Sequence, residues 1–584
     1  SASLVGSEMC IRDRNGHDLT GKLNSTGDSA TKLQSSAALF SVENQVTGYI
    51  ARNGATLENS GNINFSGQNT TGLEVLDGST GINSGSITVN NGGRGLVASS
   101  TNQSTTINNT GNLTLNGGSD NNRTTGIKAS GNAVTVNMTA GTIKLEGQGA
   151  VGVEVTDGAS VNLAGTALPV FADPATGVSN QIAFLISGVG STLNTKTSTV
   201  MDANGKGSTL FRVEDGASQQ GVLSYDVSGE NARGIWATGA GTIVNAAKGS
   251  HLSIQGIGAQ GIYAAGGANA MLAQGVTADL TGSGAVVGVV DGNEYDLTGS
   301  VTETNTGTIL TNEANISSGL SGATAFITQN QGSLVNKGNI ALTTGTGNTG
   351  IKVISGKFDN QTSDITVSGV AVDVEGANST VLSTGGSIIA TDGDAAIRLS
   401  QGASLDLVGS GMGVVEGRGT AHGVLLDTGA AGLTVTGAQI DVKAAGATGN
   451  GIENRAEIAG IQLNNTTINV QDGKGIRTSA TLAQQNSGTI SVAGSGTGLA
   501  FMAADAGITG NDLDLSDSSG LTINLYGSNG NGILANTADG ATVKSAVSVN
   551  VTAADGGSAL VVKNNANLVE QSGVLRSAST TAAV

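Results

Sequence analysis

Three short motifs recur in a fixed order along this 584-residue chain, and their spacing constrains the fold more than any other feature. The first is Gly-aliphatic-x-aliphatic (or Ala), at Gly72, Gly95, Gly126, Gly152, Gly234, Gly261, Gly350, Gly475 and Gly532; within the runs Gly72 to Gly152 and Gly234 to Gly261, neighbouring copies lie 23 to 31 residues apart. The second is a turn, (D/Q)GAS, at Asp157, Asp215 and Gln401, with a variant at Asp539. The third is N-x-G-x-(I/L)-x-aliphatic, over Asn59–Phe65, Asn109–Leu115, Asn336–Leu342 and Asn486–Val492.

One unit reads whole. From Gly72 the chain runs GLEV, LDGST, GINSG and SITV, then NNGGR leads into the next GLVA at Gly95. Each strand is three to five residues with alternating polarity, so one face is apolar. Each junction carries Gly, Asn or Asp, which accept left-handed backbone angles at corners. A period of about 20–30 residues with this content is one coil of a solenoid. A single coil cannot bury its Val/Ile/Leu face, but coils stacked about 4.8 Å apart satisfy the backbone and build an apolar column. The fold class expected is therefore all-β, a right-handed parallel β-helix of about 20 coils between residues 40 and 565, a rod on the order of 100 Å. Asn at one corner of successive coils, as at Asn59 and Asn109, is placed to form a side-chain ladder. The competing fold is a string of antiparallel sandwiches, since Asp-Gly also marks hairpins. Such modules would impose a period near 100 residues and a buried Trp in each, whereas Trp236 is the one Trp here.

Composition agrees. Glycine numbers 93, proline 2, and aromatic residues make up 2%, too few for several broad cores, while the 38% hydrophobic content exceeds that of a disordered acidic chain. The formal net charge of −18, with 26 Lys and Arg, opposes phosphate-backbone binding, so no nucleic acid is expected as partner. Cys10 is the lone cysteine, which excludes an intramolecular disulfide. No apolar run approaches the roughly 18 residues of a membrane span.

The segment Ser3–Arg14, SLVGSEMCIRDR, resembles translated sequencing-adapter read-through. That resemblance implies that residues 1–14, Cys10 included, are foreign and that the chain is a fragment. Residues 15–40 form a poorly defined start, 41–165 and 191–565 two β-helix segments, and 566–584 a truncated end. Between them, 166–190 reads as an irregular loop or junction, because Ala167–Gly188 holds both Pro169 and Pro174 and proline is excluded from central strands.

The NSGNI, NTGNL, NKGNI and NSGTI segments, with DGAS turns and Gly-aliphatic strands between them, resemble passenger domains of bacterial autotransporters, of the pertactin-like and diffuse-adherence adhesin types. Filamentous-haemagglutinin-like two-partner secreted exoproteins share this repeat style. The resemblance implies Gram-negative origin, a cell-surface location attached to the outer membrane, and export through a translocator barrel that lies outside this sequence.

Several fragments mimic active sites. Leu425–Ala431, LLDTGAA, matches an aspartic-protease loop, but such enzymes need two carboxylates sharing a proton and no second copy occurs. Gly345–Gly350 fits GxGxxG, yet the strand-like IKVISG follows where a phosphate-binding helix is required. Gly27–Ala30, GDSA, is similar to a serine-hydrolase loop but reads as a polar turn. His17, His251 and His422 are too few and too scattered for a metal site or a triad. Asp77, Asp157, Asp215 and Asp472 read as turn formers. Trp236 and Tyr263 occupy equivalent places two residues after Gly234 and Gly261, and are expected to meet on adjacent coils, inside the column or as an exposed step that binds sugar.

These readings predict a non-catalytic surface stalk or adhesin, with no cofactor and no metal. The expected partners are host or bacterial surface glycans or proteins, or further copies of the chain. A polysaccharide-cleaving β-helix of the lyase or tailspike kind is the enzymatic alternative.

Overall fold

The computed structural model describes residues 2–3, 31–165, 167–196, 200–304, 307–458, 460–507, 512–537, 540–552, 556–564 and 566–578. It is a parallel β-solenoid of about 20 turns, and among the described residues the only helix is a 3₁₀ turn at Pro174–Thr176. Contacts divide the chain into two units, Ser1–Gly288 with Gly292–Ile309, and Val289–Asp291 with Leu310–Val584.

A coil of the first unit has three faces. Thr71–Leu76 lies on the first, Thr80–Asn83 on the second and Ile87–Asn90 on the third, before Arg94–Ser99 returns to the first. The coil is closed by left-handed corners. At the (D/Q)G sites two consecutive residues have positive φ: Asp77 and Gly78 at 47° and 80°, Asp157 and Gly158 at 56° and 85°, Asp215 and Gly216 at 54° and 79°. Asp at the first position tolerates this conformation, and its side chain serves the neighbouring coil. Ser130 Oγ donates to Asp157 at 2.7 Å, and Ser187 Oγ donates to Asp215 at 2.7 Å. The Asp539 copy lies outside the described residues.

The inward column of the first face is unbroken. Tyr49, Leu73, Leu96, Ile127, Val153, Phe184, Phe211, Ile235 and Ile262 are successive parallel partners, and all are buried. In the second unit Phe326, Ile351, Val372, Ile397, Val424, Ile452, Ile476, Leu499, Ile533 and Leu560 repeat the arrangement. Where large rings follow one another they stack, Phe184 on Phe211 at 5.1 Å and 22°. The motif glycine precedes this column because a side chain there has no room. A Cβ at Gly234 would lie 2.0 Å from the Tyr225 ring and 2.7 Å from the Gly261 carbonyl.

The asparagine ladder forms. Asn59 Nδ2 donates to Asn83 Oδ1 at 2.8 Å, and Asn83 Nδ2 to Asn109 Oδ1 at 2.6 Å, all three buried. The second unit has its own, Asn312 to Asn336 to Asn360, each step 2.8 Å. On an outer face Asn108, Asn137, Asn162 and Asn194 form another, with steps of 2.9, 2.8 and 2.8 Å.

The 166–190 segment is more regular than its prolines suggest. Pro169–Phe171 is a strand, paired with Ile143–Leu145 and last in its sheet, where a missing N–H leaves no ladder bond unmade. Ile182–Ser187 is a central strand between Val151–Thr156 and Thr209–Glu214. The irregular part shrinks to the turn between them, capped by Asp173 and pinned by buried Gln181, whose Nε2 donates to the Leu145 carbonyl at 2.6 Å. The run IAFLIS misleads because it is apolar on both sides, as strands covered on both faces are. Something covers Leu185 from outside.

Candidate functional site

The outward position between the two inward residues of the first face runs Glu74, Val97, Lys128, Glu154, Leu185, Arg212, Trp236, Tyr263 along consecutive coils. It begins as an ordinary solvated ladder, with Lys128 Nζ 2.5 Å from Glu154. From Leu185 onward it turns apolar, aromatic and cationic. Here residues 293–304 leave the coil path and fold back over the face. Their antiparallel pair, Asn293–Tyr295 with Val301–Thr304, forms a strap. Its tip is an Asx turn in which Asp296 accepts from the Thr298 hydroxyl at 2.7 Å and from the Ser300 and Thr298 amides at 2.9 and 2.8 Å, bonds that, the hydroxyl's first, hold this carboxyl below its usual range.

Leu297 of the strap packs on Val151, Ile182 and Leu185. Two guanidiniums clamp its backbone. Arg212 donates to the Tyr295 and Asp296 carbonyls at 2.6 and 3.2 Å, and to Glu214 at 2.6 Å. Arg123 donates to the Leu297 carbonyl at 2.5 Å and to those of Gly149 and Asn180 at 2.8 and 2.9 Å. Burial is costly for a cation, and it pushes the Arg123 pKa down against the pull of Asp120, 3.8 Å away.

Under the strap lies an aromatic cage. Trp236 and Tyr263 are direct partners on adjacent coils and meet edge to face at 5.8 Å, as their shared motif position predicts. The Tyr295 ring completes the group at 6.3 Å from Trp236 and 6.2 Å from Tyr263. Trp236 is 8% exposed and Tyr263 6%. They sit outside the column and are covered by the strap, an arrangement between the two expected from sequence. Arg212 lies 4.2 Å over the Trp236 ring, while Arg233 lies 4.4 Å from Trp236 and 4.9 Å from Tyr263.

Beside the cage is a cavity of about 280 Å³, lined by Arg233, Trp236, Tyr263, Tyr295, Asp120 and Asn180 among others. The Trp236 indole N–H is buried without an acceptor. Arg233 spends Nε on Gln260 at 2.9 Å, and among the described residues its two Nη atoms have no hydrogen-bond partner and it has no ion pair. Burial and then nearby Arg212 push its pKa down, with only the tyrosines opposing. A wider cleft of about 760 Å³ adjoins, bordered by Arg212, Glu214, Asp215, Glu294 and Glu303. Burial raises the Glu214 carboxyl despite its Arg212 partner, and burial and then Glu303 raise that of Glu294.

The active-site mimics fall into the repeat. In Leu425–Ala431 the strand His422–Leu426 ends and Asp427 makes a turn, accepting from the Ala430 amide at 2.9 Å through its carbonyl. Gly345–Gly350 runs into the strand Asn348–Ile354. Asp472 accepts from the Ser495 amide of the next coil at 2.9 Å. His251 contacts Thr277 at 2.8 Å and Asp279 at 3.5 Å. His422 accepts from the Asn450 amide at 2.9 Å and stands 3.2 Å from Arg455, in the other unit. Cys10, His17 and Gly27–Ala30 lie outside the described residues. Among the described residues no cluster of His, Cys, Asp and Glu is arranged to hold a metal ion, and no helix is long and apolar enough to cross a membrane.

Compared with protein-family models, with curated proteins and with solved structures, the chain matches none.

Proposed function

We propose that this chain is a surface-exposed passenger of a Gram-negative cell envelope, a stalk or adhesin that works by binding and carries out no reaction. One observation carries the reading. The outer faces are repetitive ladders of short polar side chains, exemplified by Asn108–Asn137–Asn162–Asn194, and this regularity gives way to a built, strapped cavity at Arg233, Trp236 and Tyr263. Repeated weak contacts gain strength through multivalency, and the strapped cavity supplies selectivity. The partners proposed are surface glycans or proteins of a host or of other bacteria. The test is adhesion of the purified chain to glycan and matrix surfaces, together with cell aggregation when it is displayed. Binding above that of an unrelated solenoid is the result expected, and none on any surface would sink the proposal.

A second reading has a specific observation behind it. The cleft beside the cavity gathers Glu214, Asp215, Glu294 and Glu303, two of them with raised pKa, and polysaccharide cleavage employs a carboxyl held protonated. New reducing or unsaturated ends on incubation with acidic polysaccharides, abolished by Glu214→Gln or Glu294→Gln, would establish that reading in place of the first.

A further inference from the structure

We infer that the cavity beside Arg233 is a binding site for one carboxylated sugar residue, a uronic-acid type unit of an acidic glycan. This rests on the binding reading above and names its ligand class.

Four features of the cavity converge on that chemistry. Its volume of about 280 Å³ falls just below the roughly 300–1,000 Å³ usual for small-molecule sites, room for a single ring and not for a chain segment. Trp236, Tyr263 and Tyr295 give it aromatic walls against which the C–H face of a pyranose packs. The buried indole N–H of Trp236 lacks an acceptor, and a ring hydroxyl or a carboxylate oxygen would supply one. Arg233 is held between the Trp236 and Tyr263 rings and by its Nε–H donating to Gln260 Oε1, with the Nη edge unspent. A planar fork of that kind matches a carboxylate with two parallel hydrogen bonds.

Charge excludes the alternatives. Arg123 and Arg233 line the space, and Arg212, 4.2 Å over the Trp236 ring, adds a third positive charge close by, so a cationic ligand is repelled. Asp120 also lines the cavity, but its carboxylate is occupied by the Asn180 amide at 3.0 Å and lies 3.8 Å from Arg123. A neutral sugar would fill the space yet leave Arg233 desolvated and unpaired, which is unfavourable. A carboxylate relieves that cost.

Trp236 is the sole tryptophan of the chain, so its emission reports on this cavity alone. The full chain is titrated at fixed ionic strength with methyl glucuronide, methyl glucoside, acetate and inorganic phosphate. Saturable change in Trp236 emission with the glucuronide, at least roughly tenfold tighter than with any of the other three, is the result expected. Equal response to the glucoside would overturn the carboxylate assignment. Equal response to acetate or phosphate would overturn the sugar assignment, and no saturable response to the glucuronide would overturn the site. Arg233→Gln is expected to abolish the response. Arg233→Lys, which keeps the charge and loses the fork, is expected to weaken it roughly tenfold with unchanged circular dichroism, and glucuronide affinity equal to the parent in that variant would overturn the pairing. Glucuronide binding by a chain that adheres to nothing would sink the adhesin reading and leave the site standing; adhesion without glucuronide binding would do the reverse.

Discussion

Asn83 stands between Asn59 and Asn109 on three successive coils, accepting from the first at 2.8 Å and donating to the second at 2.6 Å while wholly buried. Its Nδ2 also reaches the Gly85 carbonyl at 2.8 Å, which fixes the corner of its own coil. Replacement with Ala leaves a donor on Asn59 and an acceptor on Asn109 unpaired in a dry environment. Each such orphan costs about 1–3 kcal/mol. Because a solenoid opens locally, the loss should show in hydrogen exchange of peptides covering residues 56–60, 80–84 and 106–110. Exchange there is expected to accelerate roughly 10- to 100-fold in Asn83→Ala, with peptides of the second unit unchanged.

Tyr295 is the strap's contribution to the aromatic cage. Tyr295→Ala should uncover Trp236, shifting its emission to longer wavelength and raising its quenching by acrylamide, while the far-ultraviolet circular dichroism of the coils stays the same. An unshifted spectrum would show that the strap does not shield the ring.

Gly234 has no space for a methyl group, since Tyr225 and the Gly261 carbonyl close in from two sides. Tyr225 has little freedom to retreat, being fully buried with its hydroxyl donating to that same carbonyl at 2.9 Å. Gly234→Ala is therefore expected to destabilise its coils by about 1–3 kcal/mol, the usual cost of overpacking. The check is urea unfolding followed through Trp236, two residues away.

His422 gives the second unit a pH response. Burial, the leading cause, holds its imidazole below the ordinary 6.5, though Glu453 pulls the other way. The unfolded chain thus binds a proton more readily than the folded one. The stability this neutral histidine contributes is fully present above about pH 6.5 and is lost as pH falls from there toward the lowered folded value. Unfolding of the second unit, followed by hydrogen exchange at pH 7.5 and 5.5, should show a smaller pH difference in His422→Gln than in the parent chain.

Much of this architecture is written in the residues. Asp-Gly corners, alternating strands and the Asn motif are local signals, and each one settles a turn, a face or a stacking contact within a coil. Even the pairing of Trp236 with Tyr263 follows, since both stand two places after a motif glycine. Leu185 and Arg212 occupy that same outward position yet escape notice, because IAFLIS and TLFRVE carry Ala183 and Leu210 where the glycine stands elsewhere. The strap is less legible still. DLTGS around Asp296 reads as one more polar corner, and nothing local says that it will travel back to Arg123. The clearest available hint was the two-sided apolar run at Ile182–Ile186, which required a cover from somewhere. Pro169 bears on one edge strand alone, and the strand that follows, Ile182–Ser187, is regular and central.

The bond from Arg123 to the Leu297 carbonyl joins residues 174 positions apart. Almost every other contact in these coils spans a single turn and can form as soon as the following coil is laid down. The cavity, by contrast, has no roof until the strap arrives, long after its floor is in place. A chain halted between Tyr263 and Asn293 would have laid down the coils that floor this cavity and would still lack its strap, so floor and roof are supplied by stretches far apart in the sequence.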